Sequence, residues 1–210
     1  MSGIQNVKEI VIKGKRKLIK EAVEAALNEG CEPMDILNDG MISAMDIVGA
    51  RFSEGLIYVP QMLAAAKAMA EGVEVIKPLL KGNAVSAGKM IMGTVAGDMH
   101  DIGKNLVIMM IESAGFEVID LGVDVPIEKY LEAIQENPDV KLVGCSALLT
   151  TTLASLRDTV AAINQCPGRA SFKIMVGGAP VTAEFAEEIG ADAYTENAAE
   201  AAKKAKELCA

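Results

Sequence analysis

Apolar residues recur every three to four positions through the first third of the chain. Val7, Ile10 and Val11 predict a short helix ending near Gly14. Leu18, Ile19, Ala22, Val23 and Ala26 form the stripe of a second, closed by Gly30 in the usual C-terminal glycine position. Pro33 suits the first turn of a third helix, which carries Leu37, Met41, Ala44, Met45 and Val48. Pro60 opens a fourth, with Leu63, Ala66, Met69, Ala70, Val73 and Ile76 inside. Four such helices with short connections predict an antiparallel bundle over residues 1–85.

The rhythm stops at Lys81-Gly82-Asn83-Ala84-Val85-Ser86-Ala87-Gly88, a small and polar stretch that reads as a linker and hinge. Beyond it, short apolar runs alternate with helical stretches. Strands are predicted over 90–95, 117–121, 142–146, 173–176 and 193–194. Helices are predicted over 103–114, 126–135, 151–164, 183–189 and 198–208. This alternation predicts a parallel sheet covered on both faces. The fold class is therefore α/β, a four-helix unit over 1–85 followed by a flavodoxin-like, Rossmann-like doubly wound sheet over 86–210. Ligands of such sheets sit outside the carboxyl ends of the strands, here the loops after Val95, Leu121, Ser146 and Val176.

Charge and composition narrow the function classes. A net charge of −9 over 210 residues argues against a nucleic-acid backbone as partner. The basic cluster Lys13-Gly14-Lys15-Arg16-Lys17 reads as a solvated helix start, because acidic residues follow at once. No apolar run approaches the roughly 20 residues of a membrane span. The segment Met1 to Lys8 has no basic region followed by an apolar one, so a cytoplasmic chain is expected. Cys31, Cys145, Cys166 and Cys209 lack metal-ligand spacing and read as ordinary thiols. With no Trp and 3% aromatics, a carbohydrate site or a base-stacking platform is not expected.

Three loops at the predicted sheet edge carry unusual residues. Gly97-Asp98-Met99-His100-Asp101-Ile102-Gly103 holds the single histidine between carboxylates. Ser146-Ala147-Leu148-Leu149-Thr150-Thr151-Thr152 gathers hydroxyls before a helix, and Gly177-Gly178 removes two side chains. Each alone has a plain structural explanation: a surface histidine, a helix cap, a turn. Their joint placement lets one elongated ligand touch all three. Asp98, His100 and Asp101 could instead hold a bare metal ion, or the loops another phosphorylated ligand.

The pattern Asp98-x-His100-x-x-Gly103, then Ser146-x-Leu148, then Gly177-Gly178 resembles the three-part signature of the cobalamin-binding domain. Methionine synthase, the methylmalonyl-CoA and glutamate mutases, and the corrinoid proteins of methyltransferase systems share that domain. The resemblance implies that His100 is the lower cobalt ligand, in place of the cofactor's own dimethylbenzimidazole. It implies that Asp98 orients the imidazole, with Thr152 standing where methionine synthase has a serine. Asp101, Ile102, Gly103, Leu148 and Thr150 complete the loops, and Ser146, Gly177 and Gly178 would line the slot for the nucleotide tail.

The segment from Phe52 to Met62 resembles the helical cap that covers the upper face of the corrin in methionine synthase and one-carbon corrinoid proteins. Phe52, Val59 and Met62 are its implied contacts. A chain with cap and carrier but no catalytic domain is similar to the small corrinoid protein of a methanogen or acetogen methyltransferase system. The resemblance implies cobalamin or a related corrinoid, passing between methylcobalamin and cob(I)alamin, with a cap that moves aside for each partner. The implied partners are a substrate-specific methyltransferase, a second corrinoid-dependent methyltransferase and a reductive activase. The donor would be a methylamine, a betaine, methanol or an aryl methyl ether, and the acceptor a thiol or tetrahydrofolate. No catalysis is expected without those partners. A non-catalytic cobalamin sensor or storage protein stays open on the sequence.

Overall fold

The computed structural model describes residues 2–80 and 87–209; most of the expected linker, 81–86, lies outside them. The chain divides into two compact units, a helical one built on the N-terminal residues and an α/β one built on the rest.

In the helical unit, α1 (Gly3–Ile12) starts where the Ser2 side chain accepts a hydrogen bond from Gln5 N–H. It is followed by α2 (Arg16–Asn28), α3 (Pro33–Asp35), a π-helical segment (Ile36–Ile42), α4 (Ser43–Ser53) and α5 (Val59–Ile76). The third predicted helix is thus interrupted by a wider turn. Ile36 and Met41, both fully buried, lie five positions apart, and the π turn keeps both on the inner face. At Gly72 of α5 an added Cβ would lie 2.7 Å from Met41 Cε and 3.0 Å from Ile19 Cγ1, so the helices close onto a bare backbone.

Five apolar assignments shift outward, Leu63 and Val73 of α5 being half-buried like Leu37. Leu18 is 45% exposed, so the inner stripe of α2 is Ile19, Ala22, Val23 and Ala26. Leu37 is only half-buried, and Ile36 takes the inner position. Ala70 is exposed, because α5 turns Met62, Ala65, Ala66, Ala68, Met69, Gly72 and Ile76 inward. Stripes rich in Ala fix the inward direction of a helix only loosely, since Ala is tolerated on either face.

The α/β unit contains a five-stranded sheet in the order β2-β1-β3-β4-β5, with every pair parallel. The strands are β1 (Lys89–Val95), β2 (Glu117–Val125), β3 (Val140–Ser146), β4 (Lys173–Gly177) and β5 (Ala193–Tyr194). Between them run α6 (Ile102–Ser113), α7 (Ile127–Glu136), α8 (Leu153–Gln165) and α9 (Ala183–Glu188), and α10 (Ala198–Cys209) follows. This is the predicted flavodoxin-like order. Its strand order reverses between β1 and β3, so the crevice for a ligand opens at the ends of those two strands.

Strand β2 is longer than the sequence predicted and irregular. Its partner register jumps from Met92↔Asp120 to Gly93↔Gly122 and then to Val95↔Val125. While β1 advances three residues, from 92 to 95, β2 advances five, from 120 to 125. Two extra residues are therefore bulged out beside the loop that carries the histidine.

Candidate functional site

The loop after β1 holds the histidine in place through Asp98, which is fully buried. Asp98 Oδ1 accepts from His100 N–H at 3.1 Å and lies 2.7 Å from His100 Nδ1. Its Oδ2 accepts from Leu148 N–H at 2.7 Å, Leu149 N–H at 3.4 Å and Thr152 Oγ1–H at 2.8 Å. One carboxylate thus ties the β1 loop to the loop after β3. Burial works against its charge, yet the donors from Leu148, His100 and Thr152 outweigh burial and hold Asp98 well below the usual carboxylate range. An ionised Asp98 accepts the proton on Nδ1, which leaves Nε2 as the ring's lone-pair donor. The histidine side chain is 48% exposed, and Nε2 has no protein partner among the described residues.

An apolar rim of exposed side chains lies on the histidine loop and on the loop after β3, which Asp98 ties to it. Met99 is 68% and Ile102 77% exposed on the histidine loop, and Leu148 and Leu149 stand exposed on the loop after β3. Exposed apolar side chains on two loops beside a half-exposed imidazole suit a ligand with apolar surface.

The other expected residues fall as follows. Asp101 is exposed and accepts a hydrogen bond from the Asn105 side chain at 3.3 Å, at the start of α6. Gly103 is exposed with open space around it. Thr150 is exposed, so of the hydroxyl cluster only Thr152 reaches Asp98. Ser146 ends β3 and is paired with both Thr94 and Gly177 in the sheet. The glycine pair is first of all a requirement of the chain itself. A Cβ on Gly178, whose φ is +127°, would lie 1.8 Å from Ala147 O, and one on Gly177 3.2 Å from Thr195 O. Ala147 N–H also donates to Gly177 O at 3.2 Å, which locks the loops after β3 and β4 together. Phe52 and Val59 are half-buried and Met62 buried, in the helical unit.

Three residues were missed. Thr94, fully buried in β1, donates from Oγ1 to His100 O at 2.9 Å. Asp124, in the bulged part of β2, accepts from Gly97 N–H at 2.7 Å and donates its own N–H to Asp98 O at 2.9 Å. Lys104, 2% exposed, pairs with Asp120 at 2.7 Å and fixes the start of α6 to β2. Thr94 reads in sequence as one more β-branched strand residue and nothing local marks Asp124, while Lys104 directly follows the histidine loop but pairs with a strand some 16 residues on.

The bare-metal alternative finds no support, because both oxygens of Asp98 are taken and no cluster of three ligating side chains exists among the described residues. Burial pushes the Cys145 thiol up to about 12, so it offers no thiolate.

Models of the B12 binding domain match residues 88–203 and residues 4–77. The chain belongs to the B12-binding family. It is 44% identical over 210 residues to dimethylamine corrinoid protein 1 of Methanosarcina acetivorans, covering 99% of this chain and 97% of that one. A solved cobalamin-binding protein from Desulfitobacterium hafniense is 30% identical, with a TM-score of 0.83 and 98% of each chain covered. The methanol:cobalamin methyltransferase complex MtaBC from Methanosarcina barkeri contains a chain 29% identical at a TM-score of 0.85, covering 99% of this chain and 79% of that one. Cobalamin is the cofactor of this family, and the residues fit it: a fixed imidazole with a free Nε2, an apolar rim and a charged partner behind the ring.

Thr152 supplies a hydroxyl donor to Asp98. Its Oγ1 lies 3.0 Å from Leu149 O as well as 2.8 Å from Asp98 Oδ2, and donates to the charged oxygen. Thr152→Val keeps the shape and loses that donor, and should cost about 2 kcal/mol. Thr152→Ser should stay within about 0.5 kcal/mol, since the hydroxyl persists. Urea unfolding midpoints at constant slope distinguish the two.

Proposed function

We propose that this chain is a corrinoid methyl carrier that receives a methyl group from a substrate-specific methyltransferase and yields it to a second. The observation that carries the reading is Asp98, which holds His100 Nδ1 on one oxygen and Thr152 on the other. When bound, cobalamin supplies a cobalt centre that takes up and releases a methyl group. His100 would hold that centre through Nε2. Asp98 keeps the proton on Nδ1, fixes the ring's orientation and raises its basicity as a donor. Thr152 and the Leu148 N–H keep Asp98 ionised throughout. The exposed apolar side chains of Met99, Ile102, Leu148 and Leu149 would be covered by the bound cofactor and keep water from the ligated imidazole. On this reading Ser146, Gly177 and Gly178 would border the nucleotide tail, and Phe52, Val59 and Met62 would be the helical unit's own corrinoid contacts.

Substrate recognition belongs to the partner enzymes, in keeping with a neighbour solved as a methyltransferase complex. The dimethylamine corrinoid relative points to a methylated amine as donor. The acceptor is a thiol or tetrahydrofolate, and a reductive activase restores oxidised carrier. Among the described residues no helix is long and apolar enough to cross a membrane, in keeping with a cytoplasmic carrier.

The test is single-turnover methyl transfer. Carrier loaded with reduced cobalamin is mixed with dimethylamine and a dimethylamine methyltransferase, then with a thiol-specific or folate-specific methyltransferase. The expected result is methylation in the first step and demethylation in the second. A protein that binds cobalamin tightly yet stays unmethylated with every methylamine methyltransferase is a sensor or a store, and contradicts the proposal.

A further inference from the structure

Asp124 has φ +50°, the one non-glycine residue with positive φ among those described. That conformation is unfavourable for a side-chain-bearing residue, though Asp and Asn tolerate it best. Asp124 is exposed, so burial of its own side chain does not compensate. What it gains is two hydrogen bonds to the histidine loop, from Gly97 N–H to its Oδ1 and from its own N–H to Asp98 O. The two-residue excess of β2 over β1 is what brings it there. From the other side, Thr94 Oγ1–H holds His100 O.

The loop backbone is therefore pinned at Gly97 N–H, Asp98 C=O and His100 C=O, while the Asp98 carboxylate pins the imidazole. Asp98 alone sets the ring relative to its own backbone; Asp124 and Thr94 set that backbone relative to the sheet. Strain kept at an exposed position is a sign of function, because nothing else on the surface would maintain it.

We propose that Asp124 is a positioning residue for His100, held in a left-handed conformation by the bulge in β2 so that Nε2 is aimed before the corrinoid arrives. The inference rests on His100 being the cobalt ligand. If so, loosening the loop should weaken the imidazole–cobalt bond more than it weakens corrinoid capture, since the loops after β3 and β4 take no hydrogen bond from Asp124.

The experiment uses full-length protein loaded with hydroxocobalamin. The ratio of His-on to His-off forms is read from visible spectra along a temperature series, with the loading constant and the unfolding midpoint measured in parallel. Asp124→Gly removes the acceptor and relieves the backbone. It should lower the His-on ratio about tenfold, the lower end of what losing an outer partner costs a metal site, with little change in unfolding midpoint. Asp124→Asn keeps an acceptor oxygen and tolerates the conformation, and should stay near the native ratio. Thr94→Ser, which keeps the hydroxyl, should do likewise, while Thr94→Val should fall as Asp124→Gly does.

An unchanged ratio in Asp124→Gly overturns the proposal, as does Asp124→Asn falling equally far. His100→Ala, run alongside, separates the levels. If it loses the His-on spectrum while Asp124→Gly keeps it, only the positioning role fails. If His100→Ala keeps the native spectrum, the ligation reading and the positioning role fail together.

Discussion

Gly178→Ala is expected to destabilise the fold strongly, by about 2–6 kcal/mol. Its added Cβ would sit 1.8 Å from Ala147 O, a backbone atom that cannot rotate away. The residue also holds φ +127°, a region that side-chain-bearing residues rarely enter. Backbone strain of this kind costs about 1–3 kcal/mol. Forcing apart the β3 and β4 loops adds about 1–3 kcal/mol more. Together these reach a large part of the 5–15 kcal/mol or so by which domains are stable. Gly177→Ala meets Thr195 O at 3.2 Å, a contact that a small shift relieves, and should be milder. Urea unfolding of both variants checks the order. Native stability in Gly178→Ala would mean that the two loops do not approach as described.

Asp98→Ala carries the second largest effect. It leaves Leu148 N–H, His100 N–H and the Thr152 hydroxyl without their charged acceptor, and frees the imidazole to rotate. Losing that acceptor should cost about 3 kcal/mol, less wherever water reaches the freed N–H groups. Asp98→Asn keeps an oxygen but not the charge, and should cost about half as much. The pH dependence follows from the sign of the shift. Asp98 is held below its ordinary value, so its stabilisation is fully present above the unfolded pKa of about 3.9 and is lost as pH falls towards the lowered native value. Acid unfolding curves of native protein and Asp98→Asn should therefore stay apart from about pH 5 to 8 and draw together progressively as pH falls below about 4.

Much of this architecture was legible in the chain. Alternation of apolar runs with helical stretches gave five parallel strands, and the loops at their ends already contained Asp98, His100, Thr152 and the glycine pair. Those residues are close in sequence to the strand ends that present them, so a linear pattern suffices. Asp124 and Thr94 were not legible as parts of the site. Asp124 acts because β2 carries two more residues than β1 at one place, a relation between strands some 30 residues apart. The predicted strand stopped at Leu121, whereas β2 runs on to Val125 through register jumps on either side of Gly122. Thr94 looked like one more β-branched residue in an apolar strand, and only the fold shows its hydroxyl beneath His100. The π segment at Ile36–Ile42 was hidden for a similar reason: a five-residue interval does not fit the helical template. The glycine pair was recognised, but its first cause is the approach of Ala147 and Thr195 rather than of a ligand.

The central claim is that His100 Nε2 ligates cobalt. It is tested most directly by the visible spectrum of hydroxocobalamin-loaded protein, native against His100→Ala. The account predicts a base-off, His-on spectrum for the native protein. In His100→Ala the His-on features should be absent while the corrinoid remains bound. Identical spectra for the two proteins would contradict it.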